Sequence, residues 1–177
     1  MAADACQSVA VQRVTTPTAW QQHMQVRVAV FVEEQRVPPH EEVDALDGLG
    51  ALPAVPPSAL HFLATLQGQP AGAGRCVVKA DGTAKVGRIA TLRQFRRQGV
   101  GRAIMRCIHE HAVKQGCVRS TLGAQVEAVP FYERLGYTVT SGEVFLDAGI
   151  EHVDMHHTLV PLSAAAHSPH QGENCCE

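Results

Sequence analysis

Twenty consecutive residues carry the densest chemistry in the chain: Val86-Gly-Arg-Ile-Ala-Thr-Leu-Arg-Gln-Phe-Arg-Arg-Gln-Gly-Val-Gly-Arg-Ala-Ile-Met105. They read as a strand, a short basic turn, two glycines two apart and the start of an amphipathic helix. Backbone N–H groups at a helix start are unpaired and lie at the positive end of the helix dipole, so they attract anions. Glycines there let the backbone touch a phosphate, and arginines add forked hydrogen bonds. The arrangement suits a diphosphate. It is not a Walker loop, because no Gly-Lys-Ser/Thr occurs in the chain. Nor is it a dinucleotide fingerprint, because Gly99-Val-Gly101 is followed by Ile104 where a third glycine would stand.

A second charged stretch has the opposite sign. Glu33 to Asp47 holds six acids (Glu33, Glu34, Glu41, Glu42, Asp44, Asp47) and one base, Arg36, whereas Lys85 to Arg106 holds seven bases and no acid. The formal charge of -2 is therefore a cancellation between two poles. That total disfavours nucleic acid as a partner, and it gives no electrostatic reason to expect a membrane surface. Metal binding is not expected. His109 and His111 are two apart on a helix, His156 and His157 would point to opposite faces of a strand, and the six cysteines show no zinc spacing. The cysteines include no CxxC pair, and no secretory signal precedes them, so a reduced, cytoplasmic chain is the expectation. No run of about 18 apolar residues is present to span a membrane.

The elements that must position these groups follow from periodicity. A first strand is read at Ser8–Val14 and a helix at about Pro17–Val32, opened by Thr16-Pro17 and marked by Trp20, Met24, Val28 and Phe31/Val32. The proline-rich segment 38–58 reads as a long, functional loop. Strands follow at Leu60–Leu66, Ala71–Val78 and Ala84–Leu92, then a helix from Gly99 to Gly116 and a strand at Val118–Gly123. A short helix, Val129–Leu135, precedes strand pieces at Tyr137–Thr140, Val144–Leu146 and His152–Val160. With 177 residues and 19.0 kDa, the chain reads as one domain over 1–162 and a disordered tail over 163–177.

The pattern Arg96-Arg-Gln-Gly99-Val-Gly101 behind its Val-Gly-Arg-Ile-Ala-Thr strand resembles the acyl-CoA-binding motif of the GNAT superfamily of N-acetyltransferases. Leu122-Gly-Ala-Gln-Val-Glu-Ala-Val-Pro-Phe-Tyr-Glu-Arg-Leu-Gly-Tyr137 is similar to that family's second hallmark. Arg27-Val-Ala-Val-Phe-Val-Glu-Glu-Gln35 and Asp147-Ala-Gly-Ile-Glu-His-Val-Asp-Met155 resemble the ElaA-like branch. The resemblance implies an α+β fold, a three-layer α/β/α arrangement. Its mixed, twisted sheet of six or seven strands would be splayed between strands four and five and flanked by about four helices.

It also implies roles. The backbone of Ile89, Ala90 and Thr91 would pair with pantetheine and polarise the thioester carbonyl. Arg96, Arg97, Gln98, Gly99, Val100, Gly101 and Arg102 would hold the pyrophosphate, and Gln125 would complete the cofactor site. Tyr132 would be the general acid for the departing thiolate. The short helix is expected to bury Phe131 and Leu135, four apart, with Tyr132 about 100° round. The base that deprotonates the amine is left open among Glu34, Glu42, Asp44, Asp47, His61 and His152. Each has a plain alternative: Glu34 on a helix surface, the loop acids solvated, the histidines hydrogen-bonded in strands. The acidic stretch is expected either to attract a cationic amine or simply to be solvated. Acetyl-CoA and an unidentified amine are the expected partners of a monomer or homodimer. A GNAT-fold module that binds acyl-CoA without turnover is the alternative reading.

Overall fold

The computed structural model describes residues 8–47 and 59–159. The expected tail at 163–177, and the ends of the expected domain, lie outside them. The short first strand β1 (Ala10–Arg13) leads to helix α1 (Pro17–Arg27). Thr16 Oγ1 caps α1 by accepting from the Ala19 N–H at 3.2 Å, and proline opens its first turn. The expected helix through Val32 is not uniform, because its last two turns relax into a π-helical segment over Val28–Glu34. A one-turn helix α2 (Pro39–Glu42) and a 3₁₀ turn (Ala45–Asp47) follow.

The rest is sheet and two helices. Strands β2 (Ala59–Leu66), β3 (Gln69–Val78) and β4 (Thr83–Thr91) form an antiparallel meander, and α3 (Val100–Lys114) crosses over to β5 (Arg119–Gln125). Then come α4 (Val129–Glu133), β6 (Thr138–Asp147) and β7 (Ile150–Thr158). The two strand pieces expected at 137–146 are one strand, whose register against β7 shifts between Val139 and Val144. The seven strands run in the order β1-β2-β3-β4-β5-β7-β6.

One joint in this sheet decides the rest. β4 and β5 pair in parallel at only three positions, Thr83↔Arg119, Ala84↔Ser120 and Lys85↔Thr121, and beyond them β5 no longer pairs with β4. Nearby, two residues of β4, Arg88 and Ile89, oppose the single Gly74 of β3. Arg88 takes a left-handed φ of 54°, as one residue of a bulge does. The bulge reverses the alternation of β4: Ala84, Val86 and Ile89 face α3, whereas Ala90 packs with Val26 and Val30 on the α1 side.

The main core lies between the sheet and α3, where Val100, Ile104, Met105, Ile108 and Ala112 are buried against Phe62, Cys76 and Val86. Gly72 and Gly74 of β3 bring α3 this close. A Cβ on Gly72 would stand 2.7 Å from Val100 Cγ1 and 2.9 Å from the Ala90 carbonyl. Gly72→Ala is therefore expected to destabilise the protein by about 1–3 kcal/mol, the usual cost of overpacking. Urea denaturation would measure this, and an unchanged midpoint would contradict the close approach.

Candidate active site

The parting strands open directly in front of the α3 N-terminus. Gly99 sits there at φ 83°, a left-handed conformation that glycine tolerates, and no side chain caps the helix. Its first N–H groups thus remain available to an anion, as the basic turn suggested. Gly101 in the first turn brings α4 close: a Cβ there would lie 3.1 Å from Phe131 Cζ. Arg96 fixes the turn, donating from Nη2 to Glu34 Oε2 at 2.8 Å and from Nε to the Thr91 carbonyl at 3.1 Å. Residues 89–91 of β4 and Leu122–Gln125 of β5 lie beyond the last pair the two strands make with each other.

Tyr132 is placed differently from the expectation for its helix. The structure buries Tyr132 to 8% exposure and leaves Phe131 and Leu135 half-buried. The helix is only five residues long, so its orientation follows its neighbours: Phe131 lies over Gly101, and the Tyr132 ring packs 5.9 Å from that of Tyr137. Burial pushes the Tyr132 phenol up to about 12. Its hydroxyl has no hydrogen-bond partner among the described residues, whereas Tyr137 bonds both His109 and Ser120.

Within the acidic stretch Glu33 and Glu41 are exposed, but Glu42, Asp44 and Asp47 neither offer free carboxylates to a substrate nor are merely solvated. Glu42 and Asp47 are 3% and 1% exposed. Arg27, fully buried, donates to Glu42 Oε1 at 2.6 Å and to both oxygens of Asp47 at 2.6 and 2.9 Å. Arg75 binds Asp44 at 2.7 and 2.8 Å and Asp47 at 3.1 Å, and the bulge aims Arg88 at Glu42 at 2.9 Å. Three arginines from α1, β3 and β4 thus balance three acids. Burial opposes ionisation of Asp47, but hydrogen bonds from Arg27 outweigh it and hold the carboxyl well below its usual range. Burial likewise opposes ionisation of Asp44, and Arg75 outweighs it. At Glu42 burial prevails over the flanking guanidiniums and moves the carboxyl upward. The expectation that these acids draw in an amine is replaced by a structural role: they fasten segment 38–47 to the sheet.

The base candidates separate on the same grounds. Glu34 is engaged by Arg96 and, at 3.5 Å, by Arg93, and the Arg96 hydrogen bond lowers its pKa. His61 is 3% exposed, wedged against the Trp20 and His23 rings, and donates from Nε2 to the Leu46 carbonyl at 3.2 Å. Burial lowers it to about 4. His152 differs. Its Nδ1–H donates to the Ile150 carbonyl at 2.8 Å, which leaves the lone pair of the neutral ring on Nε2. That nitrogen has no partner among the described residues. In register His152 stands beside Gln125, and the ring of Phe145 stacks on it at 5.8 Å.

Gln125 pairs with a residue the sequence did not single out. Its Nε2 donates to Gln35 Oε1 at 2.9 Å and Gln35 Nε2 returns a bond at 3.2 Å. The pair ties the end of the π-helical segment to β5, across the divergence. Only the extra residue of the π turn places Gln35 there, and nothing in the helical spacing shows it.

A sheet that parts after three parallel pairs, in front of an uncapped basic helix start, defines an acyltransferase architecture. The family profile "Acetyltransferase (GNAT) domain" matches residues 51–159. The chain is 42% identical over 130 residues to YjcF of Bacillus subtilis (strain 168), described as an uncharacterized N-acetyltransferase, covering 73% of this chain and 86% of that protein. Among solved structures, an acyl-CoA N-acyltransferase from Pseudomonas aeruginosa is similar with TM-score 0.70 and 26% identity, covering 85% of this chain and 99% of that one. Escherichia coli ElaA shares the fold with TM-score 0.71 and 22% identity, over 85% of this chain and 99% of its own. The chain belongs to the GNAT acetyltransferase family.

Proposed function

We propose that the protein transfers the acetyl group of acetyl-CoA to a primary amine by direct attack within a ternary complex. One observation carries the reading: the β4–β5 divergence opens onto the uncapped N-terminus of α3, so a thioester and its diphosphate can occupy one continuous cleft. The N–H groups of Val100, Gly101 and Arg102, with Arg96 and Arg97, bind the diphosphate. Gln98 and Gly99 shape the turn, and Gln125 closes the cleft at the far strand. The backbone edge of Ile89, Ala90 and Thr91 pairs with pantetheine, and its N–H groups stabilise charge on the carbonyl oxygen, usually the largest catalytic contribution.

The amine nitrogen attacks the acyl carbon. As the C–N bond forms and the C–S bond breaks, Tyr132 donates its hydroxyl hydrogen to the departing sulfur, and His152 Nε2 takes the proton the nitrogen must lose. Glu34 positions Arg96, while Asp44 and His61 act in the scaffold.

A thiol-release assay with acetyl-CoA over a panel of amines tests the function. Acetyl-CoA affinity without thiol release from any amine would identify a binding module instead. His152→Gln is expected to lower kcat/KM about tenfold; the effect is below the usual range for a base because water can also accept the proton. An unchanged kcat/KM would remove His152 from the mechanism.

A further inference from the structure

Five described residues other than glycine have a left-handed backbone. Gln67 and Ala148 sit in the tight turns of hairpins, Arg97 in the basic turn and Arg36 just after the π-helical segment. Arg88 alone of the five stands inside a strand. A side chain in that conformation costs free energy, and the surroundings must hold it there. Glycine takes it without that cost, yet the glycine beside Arg88 does not: Gly87 has no left-handed φ, and a Cβ on it would meet nothing within 4 Å among the described residues. The strained position carries a long side chain instead, and what that side chain grips gives the reason.

The grip is on the end of α2 and the residues after it. Arg88 Nε donates to the Glu42 carbonyl at 3.1 Å and lies 2.9 Å from Glu42 Oε2. Arg88 Nη2 donates to the Glu41 carbonyl at 3.2 Å and stands 3.6 Å from Asp44 Oδ2. Carbonyls at a helix end lack partners within the helix, so the guanidinium caps α2. Both carboxylates are themselves fixed, Glu42 by Arg27 at 2.6 Å and Asp44 by Arg75 at 2.7 Å.

What the grip holds is the phase of β4. Successive N–H groups of a strand point alternately to its two sides in the sheet. At the start of β4 the Thr83 carbonyl accepts from the Lys79 N–H at 2.9 Å, so Thr83, Lys85 and Gly87 turn their backbone groups to β3. Just past its end the Leu92 N–H donates to the Ala71 carbonyl at 3.0 Å, so Leu92 and Ala90 turn theirs to β3. The change of phase falls at the bulge, where Arg88 and Ile89 oppose Gly74. Without the bulge Ala90 would turn its N–H to the parted side; with it Ile89 and Thr91 do. We propose that Arg88 is a positioning residue for acyl transfer: through the end of α2 it pins the bulge, so that the N–H groups of Ile89 and Thr91 meet the thioester. Segment 39–44 thereby acts on the reactive edge of the sheet as well as being fastened by it. This inference rests on the acyl-transfer reading above.

The test follows the thioester carbonyl in two variants. Arg88→Gly relieves the left-handed backbone and removes the grip, whereas Arg88→Lys keeps the charge without the fork. Infrared difference spectra of bound acetyl-CoA, isotope-labelled at the acetyl carbonyl, read the N–H bonds to it. Wild type is expected to lower the carbonyl stretch below that of free acetyl-CoA. In Arg88→Gly the band is expected to return toward the free value and kcat to fall at least about tenfold. The Kd of CoA, which lacks that carbonyl, is expected to stay within about twofold. Arg88→Lys is expected to fall between wild type and Arg88→Gly, and it carries the same readings if Arg88→Gly does not fold. A wild-type band at the free value would overturn the inference, and so would variants whose band stays at the wild-type position; with a lowered thermal midpoint they would leave Arg88 a fastening residue only. A loss of CoA affinity matching the loss of kcat would overturn it too. A lowered wild-type band that the variants lose, without thiol release from any amine, would fail the acyl-transfer reading while upholding the role of Arg88 at the thioester.

Discussion

Tyr132→Phe is expected to lower kcat for acetyl transfer about 100-fold with little change in thermal midpoint or acetyl-CoA affinity. The ring fills a core shared with Phe131 and Tyr137, and phenylalanine keeps that ring. The hydroxyl has no partner among the described residues, so its removal breaks no bond that holds the fold. What is lost is the hydrogen bond to sulfur as the C–S bond lengthens. The size follows from acidity. A phenol raised to about 12 is a weak acid beside a thiol near 8.5, so it supports charge on sulfur more than it drives full proton transfer. That places the effect at the low end of acid catalysis. The same shift fixes the pH dependence: the phenol stays protonated up to about pH 12, so Tyr132 adds no basic limb to kcat between pH 8 and 10. A basic limb in that range that disappears in Tyr132→Phe would contradict its buried setting. A large fall in thermal midpoint would make Tyr132 a packing residue only.

The strands, the long helix and the anion turn were legible because each has a local cause. Alternation marks β2 to β4, a 3.6-residue stripe marks α3, and Gly99 and Gly101 punctuate the turn. The features that were not legible depend on distant partners. The stripe Trp20, Met24, Val28, Phe31 fits a regular helix, and the π turn that sends Gln35 to Gln125 adds a residue that the stripe does not encode. Helical spacing put Phe131 and Leu135 inward, but a five-residue helix is turned by what it meets, here Gly101 and Tyr137. Composition exposed the surplus of acid between Glu33 and Asp47 but not its partners, since Arg27, Arg75 and Arg88 come from three separate elements.

Asp47→Ala is expected to destabilise the protein by about 3–5 kcal/mol, the usual cost of leaving a buried charge without its partner. For a chain of this size that corresponds to roughly 10 °C in Tm. Asp47 accepts from Arg27 twice, from Arg75 and from the Asp44 N–H, so its removal strips buried Arg27 down to Glu42. Arg27→Met combined with Asp47→Leu should cost less than the sum of the single changes, because neither charge is then left behind. Strict additivity would deny the coupling. Acid should weaken the same region. Burial lowers His23 to about 3 and His61 to about 4, each below the unfolded value near 6.5. Between those limits the unfolded chain binds more protons, so stability is full above about pH 6.5 and falls as pH drops, by about 1.4 kcal/mol per pH unit for each ring. His23 Nδ1–H donates to the Phe62 carbonyl and His61 Nε2–H to that of Leu46, so the two nitrogens that face each other at 3.4 Å both carry lone pairs when the rings are neutral. Asp47 acts in the same direction further down: its depressed pKa contributes stability that is present above about pH 4 and lost below it. Urea denaturation at pH 7.5, 6.0 and 5.0 would read the slope, and equal stability at all three would refute the neutral buried pair. Because this network anchors segment 38–47 beside Arg88 at the bulge of β4, a loss of turnover at mildly acid pH should track the loss of folded protein.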